Sequence, residues 1–472
     1  MLKGGRAVCA VAAWLAVISL VTARAARPQG QPKHMNPFAG DAQATKEGRK
    51  LFLSLGCSGC HGVMGGGGMG KPILDDTWIF GSDDETLYKL IKGQIPEQTM
   101  PKTWAGLPDE QVWKMLAYVR SFYKGDPALI NWGLTPPPDA AERIAALSKP
   151  SDSATFKPPK GLQDMEVPTP SENPISPGKI KLGEQLFFDK RLSRAKDMSC
   201  ETCHVPEKGW ADGQPFSKRF DGNLNTRHTP TLFGVGLLPE LYWDGRVQGL
   251  EALVLDVMQA QMGADPQAVA KELEAVPAYK ASFEAELGGP PTADRIAQAL
   301  ATFLRTIYAG DTPFDNLAED DEGSDAAQGF KVFSEVSRCT LCHLPPLYSD
   351  TLFHNIGIEV GRRKPDLGRG KVLADAAEAA GQRAPAEAQT LTSAFKTPSL
   401  RGLLLTAPYF HDGRAKTLKE AATLMWQGGI ENPHRDEKLQ AWPATPEQHE
   451  QLLAFLRSLS PEPRPYQRPE IP

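Results

Sequence analysis

The sequence has almost no cysteine to spare. Its 472 residues contain seven, and six of them fall in three close pairs, Cys57/Cys60, Cys200/Cys203 and Cys339/Cys342. The seventh, Cys9, lies in the apolar opening of the chain. No thiol is left for a disulfide framework or a zinc site of its own. A membrane-spanning run is also lacking at the start. Ala7–Val21 is uncharged and apolar, but its 15 residues fall short of the roughly 20 that a spanning helix needs. No convincing alternation of apolar and polar residues is present, so strands are not expected and helices must carry the fold. Basic side chains are outnumbered, 52 against 57 acidic, which argues against nucleic acid as a partner.

What is present begins with an export signal. Lys3 and Arg6 precede the apolar run, and Ala23-Arg24-Ala25 is a small-x-small cleavage site, so residues 1–25 read as a signal peptide. An uncleaved anchor is the other reading. Cleavage removes Cys9 and three cations, leaving 49 basic against 57 acidic residues, a balance of −8. Such a chain favours cationic or small neutral partners. The expected location is the periplasm.

Each remaining cysteine pair is followed at once by histidine: Cys57-Ser58-Gly59-Cys60-His61, Cys200-Glu201-Thr202-Cys203-His204 and Cys339-Thr340-Leu341-Cys342-His343. Cys-x-x-Cys-His is the attachment motif of c-type haem. The two thiols form thioethers to one edge of the porphyrin, and the histidine lies under the iron as proximal ligand. One copy can arise by chance or as half a zinc site, but three together predict three covalently bound haems with His61, His204 and His343 on the irons. Haem of this type is attached outside the cytoplasm, in keeping with the signal.

Residues 26–125 read as one small cytochrome c domain. A helix-compatible stretch, Ala42–Leu55, runs into the first motif, and Pro108-Asp109 opens a second helix. Its apolar positions Val112, Met115, Leu116, Val119 and Phe122 share one face. The sixth iron ligand is Met100, in Gln98-Thr99-Met100-Pro101, or Met69, after a four-glycine run. A loop stiffened by proline suits a His/Met electron-transfer haem and favours Met100. This stretch resembles the class I cytochrome c domains, in which a Met-Pro loop supplies the ligand. Residues 126–172, with Pro136-Pro137-Pro138 and Lys157-Pro158-Pro159-Lys160, read as a semi-rigid linker. Residues 461–472 read as a proline-rich tail.

Between these lies an internal repeat. Thr229-Pro230-Thr231-Leu232 matches Thr397-Pro398-Ser399-Leu400, Trp243-Asp244-Gly245-Arg246 matches His411-Asp412-Gly413-Arg414, and Leu250 matches Leu418, every pair offset by 168. Each copy has a haem motif upstream, so residues 173–325 and 326–460 are two related haem domains. Helices are expected at Ile180–Phe188, Ile296–Ile307, Phe330–Val336 and Glu447–Leu459. The fold class is mainly α: three cytochrome c-like domains, the last two forming a tandem pair.

The repeat lets the two irons be compared. Met425 lies 14 residues after His411 and can close the sixth position of the third haem. The same offset puts Val257 at the matching place in the middle unit, and valine cannot ligate iron. The middle haem is therefore expected to be open to peroxide or another small ligand, while a His/Met haem passes electrons. Met258 and Met262 lie close enough to fill the gap instead. His228, beside a Thr-Pro turn, reads as structural, and His354 has no evident role beyond packing.

Residues 173–460 resemble the bacterial di-haem cytochrome c peroxidases and the related MauG enzymes. The resemblance rests on Phe187-Phe188-Asp189-Lys190-Arg191-Leu192-Ser193, Cys200–His204, Tyr242–Arg246, Thr397–Arg401 and Ala407–Gly413. It implies a peroxide-reacting middle haem, an electron-transferring third haem ligated by Met425, and Trp243 as a relay between them; a plain core tryptophan is the other reading. Several positions depart from the pattern. Val205–Arg227 contains neither the family's switchable histidine nor a methionine. Gln261, before Met262, replaces the distal glutamate, and Leu253 replaces the distal glutamine. MauG has a tyrosine where Met425 stands. The family's inter-domain calcium uses an asparagine, matched by His228, and carbonyls matched by Thr406 and Pro408. The expected activity is reduction of hydrogen peroxide to water, with electrons relayed through the N-terminal and C-terminal haems. The expected donor is a small redox protein, a quinol or a periplasmic dehydrogenase, and a homodimer fits the resemblance. The alternatives are peroxide-dependent oxidation of a partner protein and a pure electron-transfer cytochrome.

Overall fold

The computed structural model describes residues 36–57, 61, 73, 80, 83–95, 98, 100–121, 156–163, 165, 167–318 and 321–472. The signal segment, Cys60, Met69 and most of the linker lie outside the described residues. The N-terminal domain contains α1 (Ala42–Ser54), α2 (Asp84–Ile91) and α3 (Asp109–Ser121). The middle unit contains α4 (Pro177–Phe188), α5 (Leu250–Ala260), α6 (Pro266–Glu274), α7 (Pro277–Leu287) and α8 (Ala293–Leu304). The last unit contains α9 (Asp325–Lys331), α10 (Gly368–Ala379), α11 (Ala386–Thr390), α12 (Leu418–Trp426) and α13 (Pro446–Ser458). Among the described residues the one sheet has two short strands. In it β1 (Phe353–His354) pairs antiparallel with β2 (Phe395–Lys396), His354 opposite Phe395. No helix among the described residues is long and apolar enough to cross a membrane.

The helices start where the sequence supplies caps. Ser176, Thr292 and Thr445 each accept the backbone N–H three residues on, and Pro177 and Pro446 occupy first helical positions. Thr417 and Glu420 form a reciprocal capping box at the start of α12.

One packing device recurs in all three units. α1 crosses α3, α4 crosses α8 and α9 crosses α13, each time through a glycine. A Cβ on Gly48 would lie 1.9 Å from the Lys114 carbonyl oxygen, one on Gly183 2.0 Å from that of Ala299, and one on Gly329 1.9 Å from that of Gln451. The backbones approach too closely for any side chain, so one helix pair in each unit is locked by the same residue type. Around them, Leu182, Leu186, Phe283 and Leu300 fill the middle core. Phe455 anchors the last core, its ring 4.9 Å from those of Phe314 and Phe333.

The repeat persists in three dimensions. α5 begins at Leu250 and α12 at Leu418; single-turn helices Val235–Leu237 and Leu403–Leu405 precede them. Tyr242 and Phe410 both take left-handed backbone angles, φ 64° and 69°. Each is framed by a bridge, Leu241 with Val247 and Tyr409 with Ala415. Every one of these pairs keeps the offset of 168.

The two units are tied together by buried charge. Arg401 binds Asp315 through two hydrogen bonds, 2.8 and 3.0 Å, and gives a third, 3.0 Å, to the Gly161 carbonyl. Arg227 bridges Asp244 and Asp366. The N-terminal domain shares an apolar cluster with both units. Phe52, Leu55, Cys57, Trp104 and Leu107 pack with Leu162, Leu237, Leu344 and Leu347.

Candidate haem sites

The middle motif folds into a single helical turn, Cys200–Thr202, and the His204 N–H closes it on the Cys200 carbonyl at 3.0 Å. His204 Nδ1 donates to the Trp210 carbonyl at 2.9 Å. The third motif repeats the arrangement, with His343 N–H on the Cys339 carbonyl and His343 Nδ1 donating to the Tyr348 carbonyl at 2.8 Å. A carbonyl on Nδ1 fixes the tautomer that leaves Nε2 as the ligand atom, the usual outer-shell support of a metal-bound imidazole. Burial lowers both imidazole pKa values and keeps the rings neutral, as a ligand must be. Burial also pushes the thiols up, Cys200 to about 12 and Cys203 and Cys339 to about 11. These are not thiolates poised for zinc or nucleophilic attack.

Both motifs open on one cavity of about 1000 Å³, at the upper end for a ligand pocket. Its wall is mainly apolar, with cationic side chains Arg227, Arg246, Arg338, Lys371 and Lys396 reaching it. That combination fits porphyrins bearing two anionic propionates. Lys396 is buried, and burial lowers its pKa to about 8, so a propionate beside it is welcome.

α5 and α12 occupy equivalent walls of this cavity. Val257 and Leu253 line it from α5, and Met425 lines it from α12. Gln261, the C-cap of α5, also lines it, and its Oε1 is buried with no hydrogen-bond partner in the protein. A buried acceptor of this kind is satisfied by a water or a ligand in the cavity. Met258 and Met262 reach the cavity wall as well, buried in the middle core.

Trp243 stands between the two units. Its Nε1 donates to the His228 carbonyl at 2.8 Å, and its own carbonyl accepts the Lys396 N–H at 2.8 Å. Its ring meets that of His411 edge to face. His411 in turn stacks on Phe395 at 3.6 Å and bonds Glu359 Oε1 at 2.7 Å.

In the first domain Cys57 is buried, and Met100 packs on the cluster that holds it. Gln98 Nε2 donates to the carbonyls of Met100 and Leu90 at 2.8 and 2.9 Å, fixing the loop. Trp104 Nε1 donates to the Leu55 carbonyl.

The calcium donor set is a poorer fit. Thr406 and Pro408 lie on the cavity wall. His228, in the asparagine's place, is buried and gives its Nδ1–H to the Gln214 carbonyl at 2.7 Å. Calcium takes oxygen ligands, and an imidazole supplies none.

One buried group escaped sequence reasoning. His354 Nε2 meets Asp350 Oδ2 at 2.8 Å and Nδ1 meets Asp436 Oδ2 at 2.5 Å. Burial opposes the charged ring, but the two carboxylates prevail and raise its pKa well above the ordinary value. The result is a buried imidazolium on the wall beside the third motif. The Asp350/His354 spacing was visible in the chain; Asp436 was not, because only the fold brings it near.

Comparison with known proteins agrees with this geometry. Residues 177–323 match the family described as di-haem cytochrome c peroxidase, and residues 43–119 match that described as cytochrome c oxidase, cbb3-type, subunit III. The chain is 36% identical over 341 residues to the methylamine utilization protein MauG of Methylorubrum extorquens, covering 71% of this chain and 90% of that one. It is 31% identical over 333 residues to the cytochrome-c peroxidase IdrP1 of Denitromonas iodatirespirans, covering 65% and 88%. Among solved structures, a MauG-like protein associated with microbial copper homeostasis superposes with a TM-score of 0.54 at 25% identity, covering 65% of this chain and 94% of that one.

Proposed function

Because this chain belongs to the di-haem cytochrome c peroxidase and MauG family, carrying an additional N-terminal cytochrome c domain, we propose that it is a periplasmic tri-haem peroxidase that reduces hydrogen peroxide to water at its middle haem. The observation that carries this reading is the contrast between α5 and α12. Two equivalent helices line one cavity, and one presents Met425 where the other presents Val257. When bound, the middle haem supplies an iron position open to peroxide, and the outer haems supply electrons.

The protein's own residues do the rest. Trp210 holds His204 in place through Nδ1. Gln261 can give an N–H to peroxide and orient it, but an amide cannot carry the proton as a carboxylate does. Trp243 and His411 offer a π contact from the third unit to the middle one. The first domain is docked for delivery to the third. Gly56, beside Cys57, lies so close to Pro345 that a Cβ would meet its Cδ at 3.0 Å, and Pro345 is two residues past His343. Electrons from a small redox protein, a quinol or a periplasmic dehydrogenase would thus enter at the first haem and leave the third for the middle. No step is assigned to calcium.

Single-turnover mixing of the oxidised protein with peroxide tests the reading. Rapid reaction of a high-spin middle haem is expected, and a faster one in Gln261→Glu. An unreactive oxidised protein with three low-spin haems would overturn it. A second reading, peroxide-driven oxidation of a partner protein, is favoured by Val205–Arg227, which offers no histidine to close the middle site.

A further inference from the structure

The last residues of the chain form a strap across the proximal side of the middle unit. Arg468 pairs with Glu207 at 2.7 Å and with Glu201, which lies inside the haem motif itself. Arg191 donates to the Pro472 carbonyl at 2.7 Å, and Gln185 to that of Glu470 at 3.0 Å. Tyr466 sits at the centre, half-buried, stacked on Phe188 at 5.6 Å and edge-on to Trp210 at 5.2 Å. Its hydroxyl donates to Glu184 Oε1 at 2.6 Å. Trp210 is the residue whose carbonyl holds His204. A continuous line therefore runs from the proximal histidine through Trp210 to Tyr466 and the surface, where Arg464, Pro465 and Gln467 are exposed.

Packing alone does not explain this tyrosine. A phenylalanine would stack on Phe188 and Trp210 equally well. What the phenol adds is an O–H bond aimed at a carboxylate.

We propose that Tyr466 is a redox-active residue through which the peroxide-oxidised middle centre draws single electrons from phenolic donors at the protein surface, with Glu184 as proton acceptor. The inference rests on the peroxidase reading above and adds a second electron entry that bypasses the first and third haems. Hydrogen peroxide is the oxidant. In each cycle the Tyr466 O–H bond breaks. The proton passes to Glu184 Oε1 and the electron passes through Trp210 to the oxidised centre, leaving a neutral tyrosyl radical. A donor phenol returns one electron to Tyr466 while Glu184 returns the proton. The donor leaves as its own radical, its proton lost to solvent. Two such cycles deliver the two electrons that one peroxide consumes. Burial and the Glu184 carboxylate hold the phenol's pKa above its ordinary value, so it stays protonated at neutral pH and must lose its proton with the electron. A carboxylate already within hydrogen-bond reach removes the need for solvent to collect it.

The test freezes the haem-loaded protein, made with ring-deuterated tyrosine, during its first turnover with peroxide and records the EPR spectrum. A free-radical signal that narrows on deuteration and disappears in Tyr466→Phe is expected. Labelling with a biotinylated phenol, mapped by mass spectrometry, should place the adduct on Tyr466. Glu184→Gln keeps an acceptor for the hydroxyl but cannot take the proton. It should lower phenol oxidation by about a hundredfold, the scale of lost general-base help. Chymotrypsin resistance after residue 466, a cleavage site whether Tyr or Phe stands there, confirms that the strap stays docked in each variant, and the glutamine variant keeps the test decisive if the phenylalanine loosens the strap. A tyrosyl signal that persists in Tyr466→Phe, or phenol oxidation unchanged in Glu184→Gln, overturns the inference. A wild type that reacts with peroxide but shows no tyrosyl radical also overturns it, leaving the peroxidase reading intact. A wild type inert to peroxide sinks both.

Discussion

Trp243 and His411 hold the same place in the two repeats and meet edge to face, ring centroids 6.4 Å apart. The duplication has thus put one position of each unit in contact with its own counterpart. The two are not equal: the indole is anchored by the His228 carbonyl, the imidazole by Glu359. An asymmetric pair thus sits across a symmetric boundary.

Replacing Trp243 by phenylalanine keeps an aromatic ring but leaves the His228 carbonyl without its donor. An unpaired buried acceptor costs about 1–3 kcal/mol, so thermal unfolding should occur at lower temperature. Stopped-flow reduction of the middle haem should slow, while its spin state stays as in the wild type.

Val257→Met puts a thioether on α5 where α12 carries Met425. The middle haem should turn low-spin. Peroxide consumption should fall by about tenfold or more, the change produced by roughly 1.4 kcal/mol of added barrier. Met425→His should instead lower the potential of the third haem, because a thioether favours ferrous iron more than imidazole does. Redox titration of each variant separates the two effects.

Gly183→Ala forces a methyl against the Ala299 carbonyl, where a Cβ would lie 2.0 Å away. Overpacking of this kind costs about 1–3 kcal/mol or more, and calorimetry should show the loss. Gly323→Ala, with nothing within 4 Å of the new Cβ, should be close to neutral.

The C-terminal strap should respond to acid. Hydrogen bonding to Arg468 lowers the Glu207 pKa to about 2. A depressed carboxylate stabilises the docked strap at any pH above its free value, about 4.3, and that contribution disappears as pH falls from there towards 2. Glu184, Glu201, Arg191 and Arg468 face the same site. The hydrogen-exchange protection factors of residues 461–472, corrected for the intrinsic rate at each pH, should fall progressively over that interval and hold near neutrality.

Much of this architecture was legible in the chain because its signals are local or periodic. The Cys-x-x-Cys-His motifs are five residues long, and the offset of 168 needs no insertion, so Val257 could be set against Met425 without coordinates. The start at Thr445-Pro446 was marked by its own residues, whereas the helices expected from Ile180 and Ile296 begin three residues earlier, behind the caps Ser176 and Thr292. What stayed hidden depends on residues far apart in sequence. Asp436 reaches His354 from 82 residues away. Residues 461–472 read only as proline-rich, because the partners of Tyr466 and Arg468 lie more than 250 residues earlier. The glycine crossings were silent too, since a glycine inside a helix is ordinarily a weakness until its neighbour is known.

On the electron path proposed above, the seat of the first domain on Leu344 and Leu347 would change the kinetic order of reduction. A diffusible cytochrome must find that apolar platform anew for every electron, and its delivery slows on dilution. A donor on the same chain is present at an effective concentration of order millimolar or more, whatever the amount of enzyme. Reduction of the third haem would then be a unimolecular step, and scarcity of the external donor would be felt only at the outer face of the first domain.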